Sequence, residues 1–406
     1  MKKTIGYVLS HTHWDREWYL SFQLFRMRLV YMLDTLIPYL EQHPEFPHFH
    51  LDGQTVCLED YLEVRPDQAE RLRHLIEAGR IAVGPWYVLP DLQCIGQESI
   101  LRNLSRGLAL AQRFGGGTPV GYLPDIFSHP AQMPQIFAGY DFRAAVIWRG
   151  SSDDPEPPYE VLWRAPDGTQ LLTLRLPDDR GYLNAFPLAD TPEAVSRQFE
   201  DWFHERLPRS PSGQLLFMNG CDHQTPNYAL PEFIRYFNET HDDYELRQIS
   251  LTQYLDELHI TPGELTVLCG EQNRTNYSAG RHLNPTLKNT LSTHIPQKIE
   301  NAQCEAGLVR CAEPLSAMLA AAHLPLGLHY LDTAWKYLLQ NHPHDSICGC
   351  SCDDVARDME RRFAWARDIM QQYQQEAMRR LAAQTDTQQT PADEIPVQLF
   401  HLSPWP

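Results

Sequence analysis

The stretch Ile5-Gly6-Tyr7-Val8-Leu9-Ser10-His11-Thr12-His13-Trp14-Asp15-Arg16-Glu17-Trp18 decides how this chain is read. Its first half is a short apolar run with the length and composition of a buried strand. Side chains two apart in an extended chain point the same way, so His11, His13 and Asp15 can share one side just past the strand's end. Two imidazoles and a carboxylate so placed are a donor set for a divalent transition metal, zinc foremost. In open and barrel α/β folds the carboxyl ends of strands are where active sites collect. Taken alone, the same residues also read as ordinary hydrogen-bonding groups in a loop.

Working outward, strands and helices alternate. Phe25, Leu29, Met32, Leu33, Leu36 and Leu40 recur at helical spacing and predict a helix over 22–41. His50-Leu51-Asp52-Gly53 reads as the end of a second strand. A helix over 67–78 stops at Gly79, and Ile81-Ala82-Val83 opens a third strand running into Gly84-Pro85-Trp86-Tyr87. A helix near 98–113 precedes the strand Val120 to Leu123, with Pro124-Asp125-Ile126-Phe127 at its end. A short helix from 132 leads to a strand from Ala144 to Trp148, finishing in Arg149-Gly150. This alternation marks an α/β domain with a mainly parallel sheet. It breaks for a hairpin, Leu162 to Leu176, turning at Asp167-Gly168. It resumes with a helix near 192–206 and the strand Leu215 to Met218, which ends in Asn219-Gly220-Cys221-Asp222-His223.

From 285 the character changes to long apolar periodicities over 285–322, 329–341 and 353–384, the pattern of a small helical bundle. Residues 385–395, rich in Gln, Thr, Asp and Pro, read as a linker before a last apolar run, Val397 to Pro406. The expected division is an α/β catalytic domain over 1–260, a bundle over 261–385, and a linker with the start of a further domain over 386–406.

The 406 residues leave room for two or three domains. At 43% hydrophobic and 21% charged the composition is that of a soluble globular protein, and no apolar run nears membrane-spanning length. A formal charge of -18 argues against a polyanionic partner such as nucleic acid. Met1-Lys2-Lys3 precedes a strand too short for a signal core, so no cleavable signal is expected. Nine cysteines without a spaced framework suit a reducing compartment, and the expected location is cytoplasmic.

Three further places could carry chemistry. Asp125 and Asp222 end predicted strands and would share a rim in a parallel sheet; each alone also reads as a helix cap or turn residue. The third is Asn341-His342-Pro343-His344-Asp345, past a helix whose Trp335, Leu338 and Leu339 face a core. Such a cluster can cap the helix, or reach back to a metal with the bundle docked over the rim.

Together these segments resemble a known family. His13-Trp14-Asp15, Gly121-Tyr122-Leu123-Pro124-Asp125-Ile126-Phe127, Trp148-Arg149-Gly150, Asn219-Gly220-Cys221-Asp222 and His344-Asp345 fall in the order and approximate spacing of glycoside hydrolase family 38, the zinc-dependent retaining α-mannosidases. The likeness covers the whole chain and is nearest to the bacterial branch. It implies a seven-stranded β/α barrel followed by a three-helix bundle. It implies His13, Asp15, Asp125 and His344 as zinc ligands, with Co2+ a possible substitute and His11 a non-ligand neighbour. It implies Asp125 as nucleophile and Asp222 as general acid/base. Trp18, Phe127, Arg149 and Asp345 match residues that shape or hydrogen-bond the mannose site. The implied reaction is hydrolysis of terminal α-linked mannosides through a covalent mannosyl-aspartate, the implied partner a mannoside or glycan.

The physics suits those roles. Retention needs two carboxyl groups about 5–5.5 Å apart, one attacking and one protonating the leaving oxygen. Cys348, Cys350 and Cys352 form a Cys-X-Cys-X-Cys run whose spacing differs from ordinary zinc ligation, and they read as small buried residues at a helix start. Among the aromatics, Trp14 and Trp18 beside the metal motif are the ones expected to stack on sugar. Two rival functions remain, a metal-dependent carbohydrate deacetylase and a non-catalytic sugar-binding fragment. Family members run to roughly twice this length, so the chain reads as a truncated form lacking β-rich domains, its terminal run resembling their first strand. The expectation is a fragment that binds zinc, hydrolyses poorly and exposes an apolar face, with the full-length form a homo-oligomer.

Overall fold

Strand β1, Thr4–Thr12, is buried along its last seven residues and is paired on both sides. The computed structural model describes residues 3–151, 158–260, 263, 265–274, 276–278, 281–283, 286–391 and 393–402. Within them β2 is Phe49–Leu51, β3 Ile81–Ala82, β4 Val120–Leu123, β5 Ala144–Ile147, β6 Glu160–Arg164 and β7 Gln170–Arg175. Strands β8 Leu215–Asn219, β9 Tyr244–Gln248, β10 Val267–Cys269, β11 Asn276–Ser278 and β12 Arg281–Leu283 follow. One sheet runs β3-β2-β1-β8, with β9 also on β1; all its pairs are parallel. The other runs β10-β6-β7-β5-β4 and is parallel except for the β6–β7 hairpin, which turns at Gly168 in the left-handed region. β11 and β12 form a small antiparallel pair.

The described strands are thus hydrogen-bonded as two five-stranded sheets instead of one closed seven-stranded ring. They share a core all the same. Tyr7 and Leu9 of β1, Tyr122 of β4, Val146 of β5, Leu174 of β7 and Met218 of β8 lie in one apolar cluster between the sheets. Val8 points the opposite way, into the cluster of helix residues that includes Leu29, Leu33, Leu36 and Phe203. Period-two alternation therefore continues the inward face of Tyr7 and Leu9 to His11 and His13 at the carboxyl end. Gly6 is required by a close approach: a Cβ there would sit 2.5 Å from the Phe217 ring and 2.6 Å from that of Phe203.

The helices follow the apolar spacing. Phe22–Gln42, Ala69–Glu77, Gln97–Arg113, Met133–Gly139 and Pro192–Arg206 match the predicted segments, while Val56–Leu62, Leu230–Thr240 and Leu251–Glu257 are additions. The C-terminal part is helical: Ile295–Gly307 passes through a π-helical turn, Leu308–Ala312, into Glu313–Ala321. His329–Leu339, the short His344–Cys348 and the long Asp353–Ala382 follow. Leu331, Trp335 and Leu338 share one buried cluster with Val355, Met359 and Phe363, continuous with the helices of the α/β part. The strand expected at the end does not form: Val397–Leu402 have no regular structure, and Ser403–Pro406 lie outside the described residues. No helix of the described residues is long and apolar enough to cross a membrane.

Candidate active site

Each parallel strand delivers its next residues to the same rim. His13 and Asp15 follow β1, Asp52 follows β2, Asp125 follows β4, Arg149 follows β5 and Asp222 follows β8. The rims of β1 and β8 are tied together where the His13 amide donates to Cys221 O at 3.2 Å and the His223 amide to His13 O at 2.9 Å. Into this rim the helical part inserts His344, whose amide donates to Leu89 O at 3.0 Å.

The four sequence-predicted ligand residues converge. His13 Nε2 lies 3.1 Å from Asp15 Oδ1 and 3.9 Å from Asp125 Oδ2. His344 Nε2 lies 3.4 Å from Asp15 Oδ1 and 3.4 Å from Asp125 Oδ2. His13, Asp15 and His344 are at most 5% exposed. The two Nε2 atoms are buried yet make no hydrogen bond of acceptable geometry. The His344 Nδ1 is hydrogen-bonded to Leu89 O at 3.2 Å, while His13 Nδ1 stands 3.3 Å from Asp52 Oδ2 without hydrogen-bond geometry; both Nε2 atoms are turned toward the carboxylates. His13, Asp125 and His344 offer ligand atoms within 4.8 Å of one another, and Asp15 adjoins both imidazoles, so the group is of a kind that could hold a metal ion. His11 stands apart: its Nε2 meets Tyr182 O at 2.9 Å, and burial pushes its pKa down to about 4.

Buried carboxylates dominate the electrostatics of the cluster. Burial works against a charged His13, but Asp15 and Asp52 outweigh it and hold the pKa well above the usual imidazole range. For His344 burial is likewise overcome, by Asp345 first and then by Asp125 and Asp15, and the pKa is raised to about 9. The imidazoles take up protons because the buried carboxylates demand positive charge, which a divalent cation would supply on displacing them.

The two rim carboxylates are driven in opposite directions. Burial would raise Asp125, yet the Arg149 guanidinium, His344 and His13 bring its pKa below the ordinary value. Arg149 donates from Nε at 2.8 Å and from an Nη at 2.6 Å to Asp125 Oδ1. Asp222 is raised, by burial foremost and by Asp15 and Asp125, against the lowering effect of His13.

The remaining predicted residues divide. Phe127 is buried edge-on to His344, ring centroids 5.3 Å apart, with the Arg149 guanidinium 5.5 Å from its ring. Asp345 Oδ2 lies 3.9 Å from His344 Nε2. Trp18 is half-buried against Tyr19 at 5.0 Å, and its carbonyl accepts from the Cys352 amide at 2.9 Å. Trp14 is a correction: 2% exposed and in the main apolar cluster, it has no face for a sugar. Tyr182 was missed; its hydroxyl donates to Asp222 Oδ1 at 2.9 Å from a single 3-10 turn, Gly181–Leu183, that carried no sequence signal. Asp52 was also missed, although it ends a predicted strand and could have been read there.

Comparison with known proteins gives this site a family. Residues 3–277 match the glycosyl hydrolases family 38 N-terminal domain. This chain belongs to glycosyl hydrolase family 38. Residues 286–381 of this family 38 chain match the α-mannosidase middle domain. A protein from Halalkalibacterium halodurans assigned as a mannosylglycerate hydrolase is 35% identical, over 98% of this chain and 45% of that protein. Alpha-mannosidase 2C1 of Mus musculus is 24% identical over 87% of this chain and 32% of its own length. The crystal structure of an α-mannosidase from Enterococcus faecalis superposes with a TM-score of 0.88 at 36% identity, covering 96% of this chain and 44% of that one. The chain spans less than half the length of these relatives.

Proposed function

We propose that this family 38 chain carries the catalytic site of a zinc-dependent retaining α-mannosidase acting on terminal α-linked mannosides. The opposite drive on the two rim carboxylates carries the proposal: Asp125 is held ionised by Arg149, while burial holds Asp222 toward its protonated form. That division is what retaining glycoside hydrolysis asks of a nucleophile and an acid. Asp125 attacks the anomeric carbon while Asp222 gives its proton to the departing oxygen, forming mannosyl-Asp125. Asp222 then takes a proton from water as the water attacks the same carbon, releasing mannose with retained configuration. Tyr182 orients Asp222, and Trp18, Phe127, Arg149 and Asp345 shape the sugar site. His13, Asp15, Asp125 and His344 would hold Zn2+, or Co2+ in its place, which when bound supplies a Lewis-acid anchor for sugar hydroxyls.

Residues 1–260 are read as the catalytic α/β domain, to whose second sheet β10 still adds beyond that boundary, and the helices within 261–385 as a bundle contributing His344 and Asp345, a reading supported by the parallel rim and by the helical runs behind it. The protein is read as cytoplasmic and, in a longer form, homo-oligomeric. The test is hydrolysis of an activated aryl α-mannoside and of mannosylglycerate, with and without a chelator. Chelator-sensitive release of mannose with the α-anomer as first product is the expected result. Release of acetate from an acetylated sugar, or sugar binding with no turnover, would overturn it.

A further inference from the structure

The Cys-X-Cys-X-Cys run is not the set of buried helix-start residues its sequence suggests. Cys348 is buried at the end of the short helix, Cys350 is exposed, and Cys352 precedes the long helix. Between the first two, Gly349 takes φ of +84°, a conformation that suits glycine and reverses the chain. The reversal brings both sulfurs back to the carboxylate of Asp345: ligand atoms of Asp345, Cys348 and Cys350 lie within 4.8 Å of one another. Cys350 Sγ donates to Asp345 Oδ1 at 2.9 Å. Both sulfurs also approach Asp345 O, Cys348 at 3.7 Å and Cys350 at 3.8 Å, so a backbone carbonyl dipole points at the same place.

We propose that Asp345, Cys348 and Cys350 form a second cation site, for a soft divalent ion such as Cd2+ or excess Zn2+, beside the His13/Asp15/Asp125/His344 group. Two sulfurs and one carboxylate select a thiophilic ion, and the exposure of Cys350 leaves an approach and a position for solvent. Ligation replaces the S–H protons of Cys348 and Cys350, releasing two protons to solvent per ion with no change of oxidation state. Asp345 is the hinge of the arrangement, because it also lies within 4.8 Å of Asp15 and His344 ligand atoms. An ion drawing Asp345 Oδ1 toward the sulfurs takes that carboxylate from the sugar site. This consequence for turnover rests on the role proposed above for Asp345; the site itself does not.

The test uses the intact protein loaded with one equivalent of Zn2+ and titrated with Cd2+, read by the ultraviolet thiolate-to-cadmium charge-transfer band. The four-residue group offers only nitrogen and oxygen, so such a band reports sulfur ligation alone. The expected result is a band saturating at one further equivalent with release of two protons. It should vanish in Cys350→Ser and Cys348→Ser and persist in the Cys269→Ser control. His344→Ala should lose the first equivalent yet keep the band, separating failure of the proposed enzyme site from failure of this one. No band, or a band unchanged in Cys350→Ser, overturns the site; that variant alters an exposed side chain and is expected to fold. Excess Zn2+ should also inhibit the wild type more than Cys350→Ser, each against its own zinc-replete rate. Equal inhibition would overturn the link to the sugar site.

Discussion

At the scale of single residues, the site separates two aspartates by their surroundings. Asp222 has its pKa raised by burial and by the nearby carboxylates, so the rate should fall as pH rises through that value and the acid is lost. Asp222→Asn should remove that limb. It should slow poor leaving groups by a factor of about a hundred or more while sparing activated aryl mannosides. Equal losses on both substrate types would take the acid role from Asp222. Glu160 offers a stability counterpart away from the site. It is 1% exposed, accepts from Ser212 Oγ at 2.9 Å and from Ser210 Oγ at 3.2 Å, and burial pushes its pKa up to about 7. A folded value above the unfolded one contributes stability in full below the unfolded pKa, and the contribution is lost as pH rises through the folded value. Glu160→Gln should therefore stabilise the protein above neutrality, by up to roughly 3 kcal/mol, and change little in acid. Denaturant melts of both proteins across that window check it, and a gain that does not grow with pH would refute it.

At the scale of elements, the short helix His344–Cys348 depends on a buried ion pair for its placement. Glu17, two residues past Asp15 and fully buried, accepts from Ser346 Oγ at 2.8 Å and from Arg362 Nη1 at 3.0 Å. Arg362 Nε in turn donates to Asn341 Oδ1 at 2.6 Å, so one guanidinium of the long helix joins the strand-end motif to the segment leading into the His344 helix. Removing one partner of such a pair strands a buried charge. Arg362→Ala should cost about 3–5 kcal/mol, whereas Glu17→Met with Arg362→Met should cost less than the sum of the single changes. An additive cycle from chemical unfolding would show that the pair is not coupled. None of this was legible in the sequence, because Glu17 and Arg362 are far apart in the chain and neither breaks a local pattern. Local patterns were what could be read. The helix Phe22–Gln42 shows its apolar stripe in Leu29, Leu33 and Leu36, and strand ends announce themselves by Asp125 and Asp222 after apolar runs. Short or mixed elements escaped: β9, Tyr244–Gln248, alternates weakly and is recognisable only by its pairing with β1. Trp14 was misread because an aromatic beside a polar motif looks the same whether it faces the rim or the helices.

For the molecule as a whole, the candidate metal group is also a clamp. His13 and Asp15 come from one sheet, Asp125 from the other and His344 from the helical part, so no single element contains the site. Without a cation this junction gathers buried carboxylates, and burial together with Asp15 drives Asp345 well above the ordinary carboxyl range. Protonated His13 and His344 offset that charge only while they keep their protons, so the metal-free junction should weaken as pH rises past the raised imidazole values. An ion bound to the folded form alone adds about 4 kcal/mol at a thousandfold excess over its Kd. Chelation should accordingly lower Tm by several degrees, by more at alkaline pH than at neutral pH, and not at all in His344→Ala if that residue is a ligand. Hydrogen exchange locates the effect. Amides of His344–Cys348 should lose protection on chelation, while β1, held by β8 and β9, keeps it. A chelator that leaves both Tm and the protection of that helix unchanged would mean that apolar packing and the Glu17–Arg362 pair suffice to hold the helical part in place.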